Sequence, residues 1–154
     1  MSMEQKIRIL CVDDHAEIRK LFELMISEHA EFHTVGSLES AEGLEESIER
    51  LLPDVVVLDL SMPGRRPLEA LRSAGKRFPS VRFLVSSAYD DPAIIEETVR
   101  AGANGFLVKE GVFDQLADAI RKVAANEAVF PPAFRRPLAN TSLLSQPPAN
   151  QQAR

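Results

Sequence analysis

One cysteine, Cys11, stands in the whole 154-residue chain, inside an apolar run. A lone thiol excludes a disulfide framework and fits a reducing compartment. Long apolar runs are also missing. No segment approaches the roughly 20 residues that a membrane-spanning helix needs. The opening Met-Ser-Met-Glu-Gln-Lys lacks the apolar core of a secretory signal. The expected location is therefore cytoplasmic, with no membrane partner. Basic charge is scarce in the main body. Residues 1–130 hold all 23 acidic residues against 15 basic ones, a net −8. Nucleic-acid binding needs a basic footprint, so this segment is a poor candidate for it. The three arginines beyond it, Arg135, Arg136 and Arg154, lie in a stretch with no acid and read as a solvated tail.

What is present is a regular alternation of short β-type runs with helical periodicity, in a chain long enough for one domain with a proper core. Ile7–Val12 is β-rich and ends in Asp13-Asp14. Apolar Ile18, Leu21, Phe22, Met25 and Ile26 then recur at helical spacing from about Ala16 to His29. A short strand at 32–35 is expected to close at Gly36, and Ser40 is placed to cap a helix from Ala41 to about Leu52, stopped by Pro53. Val55-Val56-Val57-Leu58 is continuously apolar, as befits a strand buried on both faces of a parallel sheet, and Asp59 follows it. Pro67 opens the next helix, to about Arg77.

Val81–Val85 reads as a fourth strand ending in Ser86-Ser87. Asp90 or Asp91 is placed to cap a helix that Ala101-Gly102 ends. Phe106-Leu107-Val108 is the fifth strand, ending in Lys109, and Phe113, Leu116, Ile120 and Val123 mark a last helix that stops near Asn126. Five βα units imply an α/β fold, a parallel sheet covered by helices on both faces. Residues 1–128 are expected to form this domain. Residues 129–154 read as a proline-rich linker or tail, because five of the ten prolines fall after residue 130.

Four of these strands end, on the carboxyl side, in residues able to do chemistry: Asp13 and Asp14, Asp59, Ser87, and Lys109. In an open parallel sheet those ends line one edge, where ligands bind. Singly, each has a duller role. An aspartate after a strand is most often a turn or helix cap, a serine a loop hydroxyl, a lysine a solvated surface charge. Convergence on one edge changes the balance. Three carboxylates so close cannot all remain ionised without compensating cations. Lys109 supplies one, and a divalent ion would supply the rest. Carboxylate-rich, water-accessible sites with no histidine or cysteine favour Mg²⁺. His15, at the start of the first helix, reads as a capping or surface residue rather than a ligand.

Four pieces, in order, resemble the response-regulator receiver family over residues 6–126: Leu10-Cys11-Val12-Asp13-Asp14-His15, Val55 through Gly64, Val85-Ser86-Ser87-Ala88, and Ala101 through Lys109. The resemblance implies a flavodoxin-like, doubly wound (βα)5 sheet of strand order 2-1-3-4-5, acting as a phosphoacceptor regulatory domain rather than an enzyme. It makes Asp59 the nucleophile that takes a phosphoryl group from a sensor histidine kinase. Asp14, Asp59 and the backbone carbonyl of Ser61 would ligate Mg²⁺ directly, with Asp13 acting through water. Ser87 and Lys109 would bind phosphoryl oxygens, and Ser87 with Phe106 would form the switch. Otherwise Phe106 is simply core.

Two features depart from the family pattern. Arg66-Pro67 stands where an Asp-Gly or similar pair is usual, with Arg65 before it, which is expected to put two cations near the site mouth. Glu110 follows Lys109 where many receivers have proline. Lys-Glu, with the later Val129-Phe130-Pro131-Pro132, is most like receivers of LuxR/NarL-type transcriptional regulators. That implies a DNA-binding output domain in a longer protein, of which this chain is a piece, and receiver dimerisation as a readout. A stand-alone receiver acting through protein–protein contacts is the alternative. Two other classes fit less well. A Mg²⁺-dependent phosphatase with an aspartyl nucleophile needs Asp-x-Asp after the first strand, and Asp13-Asp14-His15 lacks it. A dinucleotide-binding module needs a glycine-rich first turn, and none is present.

Overall fold

The computed structural model describes residues 5–131. Five parallel strands, β1 (Ile7–Val12), β2 (Phe32–Leu38), β3 (Val55–Asp59), β4 (Arg82–Ser87) and β5 (Gly105–Val108), form one sheet in the order β2-β1-β3-β4-β5. Five helices connect and follow them: α1 (Ala16–Ser27), α2 (Leu44–Leu51), α3 (Pro67–Arg77), α4 (Pro92–Ala101) and α5 (Val112–Ala124).

Side-chain alternation along the strands builds two cores. Leu10, Val12, Val56, Leu58, Phe83, Val85 and Phe106 point to the side covered by α2, α3 and α4, where Leu44, Ile48, Leu71 and Ile95 meet them. Ile9, Cys11, Val55, Val57, Leu84 and Leu107 point to the other side, against Phe22 and Ile26 of α1 and Leu116, Ile120 and Val123 of α5. Phe22 and Phe113 meet edge to face, with centroids 5.5 Å apart, and join α1 to α5. Each fully buried Leu, Ile or Phe here contributes about 1.5–3 kcal/mol. β3 is buried at every position, because it lies mid-sheet with helices on both faces.

Local chemistry shifts several boundaries from the expected ones. α2 begins at Leu44, not Ala41, because Ser40 spends its hydroxyl on a turn, accepting the Glu42 N–H at 3.2 Å, and Gly43 follows with φ +72°. That left-handed residue costs glycine little and ends the turn before the helix can start. β2 does not close at Gly36 but runs to Leu38. The register with β1 slips between Ile9 and Leu10, so Val35 is the bulged residue. A Cβ at Gly36 would lie 2.7 Å from Leu51 Cδ1, so a larger residue here would push the end of the Leu51 side chain aside. β4 begins one residue later than expected and reaches Ser87.

Asp91 is the N-cap of α4, but its main-chain carbonyl, not its side chain, receives the helix N–H groups. At the far end of α2, Arg8 donates from Nε to Leu52 O (3.0 Å) and from Nη2 to Leu51 O (2.7 Å), closing carbonyls the helix leaves open.

The expected boundary after residue 128 leaves out two residues that pack on the domain. Val129 bridges Gly105, its carbonyl accepting the Phe106 N–H at 2.7 Å. Phe130 is 7% exposed, in the same core as Phe106, Ile95 and Ala101. Together they cover the open edge of β5. The rest of the expected tail, 132–154, lies outside the described residues, as do residues 1–4.

Candidate functional site

The carboxyl ends of β1, β3 and β5 bring the acids and the lysine together. Asp13 directly follows β1; its N–H donates to Leu38 O at 3.0 Å, and its carbonyl accepts Arg19 Nη1 at 2.6 Å. Backbone held from two sides buries this carboxylate to 1% exposure. Asp59, the last residue of β3, is equally buried. Its Oδ1 accepts the Ser61 N–H at 3.1 Å and lies 3.0 Å from Lys109 Nζ. Lys109 opens a short 3-10 turn after β5, and its Nζ is also 3.7 Å from Asp13 Oδ2. Asp14 stands half-buried beside them.

This is a strongly negative pocket. Burial pushes the Asp59 carboxyl above its ordinary range, the Lys109 ammonium and Ser61 N–H pull it back, and neighbouring Asp13 pushes it up again. Three carboxylate oxygens, Asp13 Oδ2, Asp14 Oδ1 and Asp59 Oδ2, are buried without a hydrogen-bond partner. Ligand atoms of Asp13, Asp14, His15 and Asp59 lie within 4.8 Å of one another. Buried acceptors with nothing to accept from are costly, and one lysine cannot neutralise three acids. The donor set, hard oxygens around one concave edge, fits Mg²⁺.

The other expected residues fall nearby. Ser86 pairs in register with Asp59, and Ser87 with Val108, next to Lys109. Ser87 is buried, its Oγ accepting the Tyr89 N–H at 3.1 Å. Phe106 is buried opposite Val85 with its ring in the core, the inward orientation. Cys11 is a core thiol, pushed up to about 12 chiefly by burial, and therefore inert.

Arg65 departs from expectation. Instead of standing as a free cation at the mouth, it grips Glu45 of α2 through Nη1 (2.6 Å) and Nη2 (2.7 Å). A bidentate carboxylate partner holds a guanidinium better than solvent does, and it draws Glu45 down to about 2, a fall led by the Arg65 hydrogen bond. Arg66 is exposed, 3.8 Å from Glu69.

Two residues escaped the sequence reading, and a third, His15, was read only as a capping or surface residue. Arg19 braces the Asp13 carbonyl from one turn into α1, a spacing that carries no special mark in the sequence. Ser86 places a second buried hydroxyl beside Asp59, its Oγ without a partner; the tandem Ser86-Ser87 was the available sign. His15 occupies the N-cap of α1 but makes no side-chain cap bond. Its Nδ1 lies instead 3.2 Å from Asp13 Oδ1 and 3.1 Å from Asp14 Oδ1.

Residues 9–121 match the response regulator receiver domain family, and the chain belongs to that family. Its relatives are regulators of the LuxR/NarL type. It is 35% identical over 129 residues to the transcriptional regulatory protein DegU of Brevibacillus brevis, covering 84% of this chain and 55% of that protein. With the nitrate/nitrite response regulator NarL of Escherichia coli K12 it shares 32% over 139 residues, 90% of this chain and 64% of the relative. The chain thus spans between half and two thirds of the length of these curated relatives. Among solved structures, a LuxR-family response regulator from Aurantimonas sp. SI85-9A1 superposes with TM-score 0.80 at 25% identity, over 90% of this chain and 99% of that one. The receiver domain of a putative NarL from Mycobacterium tuberculosis does so with TM-score 0.73 at 29% identity, over 79% and 98%. This chain is the receiver domain of a two-component response regulator, a regulatory domain. No helix among the described residues is long and apolar enough to cross a membrane.

Proposed function

We propose that Asp59 accepts a phosphoryl group from the phosphohistidine of a sensor kinase, and that the change at this site switches a surface built on α4, β5 and α5. One observation carries the reading: a buried Asp59 carboxylate with one oxygen held by Lys109 and the Ser61 N–H, and the other without a partner. The held oxygen fixes the carboxylate plane, which leaves Oδ2 oriented to attack phosphorus. An Asp59 O–P bond forms as the donor's P–N bond breaks, and the imidazole leaves with a proton. Lys109 stays beside the acyl phosphate as a fixed cation, and Ser87 offers a hydroxyl to a phosphoryl oxygen.

Asp14, Asp59 and the Ser61 carbonyl would hold Mg²⁺ directly, with Asp13 through water; the ion would neutralise charge developing on the transferred group. Ser87 releases Tyr89 N–H when it turns toward the phosphate, beside a Phe106 ring that already lies inward, so the added charge of roughly −1.5 to −2 biases a two-state element. The face reached this way would meet a second receiver or a DNA-binding output domain, in the cytoplasm. The likeness to LuxR/NarL-type regulators supports that output over a stand-alone role.

The test is intact mass after incubation with acetyl phosphate and Mg²⁺. The wild type gains about 80 Da, the mass of one phosphoryl group, and Asp59→Asn gains nothing while keeping its fold. An adduct that persists in Asp59→Asn would overturn the assignment.

A further inference from the structure

We propose that His15 joins the acidic cluster as a nitrogen ligand, so that this receiver takes borderline cations such as Zn²⁺ or Ni²⁺ through a mixed imidazole–carboxylate site. The proposal rests on the divalent-cation reading of the site and sharpens it to this chain's own donor set.

Geometry carries it. Two ligands adjacent on one metal, each bonded at about 2.1 Å, stand about 3.0 Å apart in octahedral and about 3.4 Å in tetrahedral geometry. His15 Nδ1 is 3.2 Å from Asp13 Oδ1 and 3.1 Å from Asp14 Oδ1, between those limits on both edges. Asp13 Oδ1 is hydrogen-bonded to the ring as well as to the His15 N–H (2.9 Å). Asp14 Oδ1, by contrast, makes no hydrogen bond at 3.1 Å. The contact therefore places a nitrogen and an oxygen side by side without joining them. Asp13 Oδ2 and Asp59 Oδ2, on carboxylates at 1% exposure, are likewise without partners.

Among the described residues the ring's one hydrogen bond is to Asp13 Oδ1. As the N-cap residue of α1 it makes no side-chain bond to the helix, and it is 57% exposed, so packing does not fix it. One tautomer of the ring presents a lone pair at Nδ1, and a cation bridging Nδ1 to the two carboxylates would replace the Asp13 hydrogen bond. Imidazole suits Zn²⁺, Ni²⁺ and Cu²⁺, whereas Mg²⁺ prefers oxygen and its own waters. The histidine should therefore raise affinity for the first group and leave Mg²⁺ binding unchanged.

The experiment titrates the wild type and His15→Ala with Zn²⁺ alone and with Mg²⁺ alone, by calorimetry and by NMR of the imidazole nitrogens. Site-resolved NMR is needed because His29 and His33 are also present. Zn²⁺ is expected to move the Nδ1 resonance of His15 together with the amides around Asp13 and Asp59. The His15→Ala change should weaken Zn²⁺ binding there by roughly tenfold or more, the scale on which even supporting ligand-shell losses act, and leave Mg²⁺ affinity within about twofold. Equal Zn²⁺ affinity in the variant, or shifts at the aspartates with His15 unmoved, would overturn the proposal and leave the Mg²⁺ reading standing. If neither ion disturbs the residues around Asp59, both readings fall.

Discussion

Replacing Lys109 by methionine keeps the aliphatic bulk of the side chain and removes the only cation within 4 Å of Asp59, among the described residues. At 3.0 Å from Asp59 and 3.7 Å from Asp13, the lysine's gross attraction is about 5 kcal/mol to each at an effective dielectric of 20. Desolvation offsets part of this, and removing one partner of a buried pair costs about 3–5 kcal/mol. Protonation sets a ceiling on the loss. Asp59 has an ordinary value of 3.8, so neutralising it at pH 7 costs about 4 kcal/mol, and at pH 5 about 1.6 kcal/mol. Its folded value already lies above the ordinary one, and losing Lys109 raises it further. A carboxyl with a raised folded value is a burden above that value and ceases to be one as pH falls through it toward 3.8. Urea unfolding of both proteins should therefore show a deficit of about 3 kcal/mol at pH 7 that shrinks to about 1.5 kcal/mol at pH 5. A deficit that is absent, or equal at the two pH values, would refute the electrostatic account of the pocket.

Asp14→Ala should weaken Mg²⁺ binding more than Asp13→Ala, read from amide shifts during titration, since a direct ligand is lost in one case and a water-mediated one in the other. The Arg65→Ala change should cost about 1–2 kcal/mol at pH 7, the value of charge-assisted hydrogen bonds discounted for the solvent at this edge. Because Glu45 is held down at about 2, that contribution is complete above about 4.5 and fades as pH falls through 2. Unfolding curves of the two proteins should therefore converge in strong acid and remain apart at pH 5. Phe130→Ala should lower stability by about 3 kcal/mol, measured by denaturant midpoint; a change within a few tenths would mean that the residue is linker after all.

The order and type of the five strands and five helices were written in the sequence, because apolar periodicity follows directly from which faces must be buried. The apolar run before Asp59 announced a mid-sheet strand, and Pro67 and Gly102 mark a helix start and a helix end by their backbone restrictions alone. Strand-end placement also brought Asp13, Asp14, Asp59, Ser87 and Lys109 to one edge, since a parallel sheet allows nothing else. Boundaries that depend on neighbours in space were not legible. Gly36 looked like a stop, but the slipped register carries β2 past it to Leu38, close against Leu51 of α2. Val129 and Phe130 had linker composition until β5 offered them an open edge and a core to enter. The directions of side chains were decided by the fold as well. Arg65 turned to Glu45 because α2 packs beside its loop. His15, an ordinary capping position in sequence, turns its ring to Asp13 and Asp14 just before it, and the end of β3 then brings Asp59 to the same cluster. Sequence fixes what a residue can do, and contacts between residues far apart in the chain decide which of those things it does.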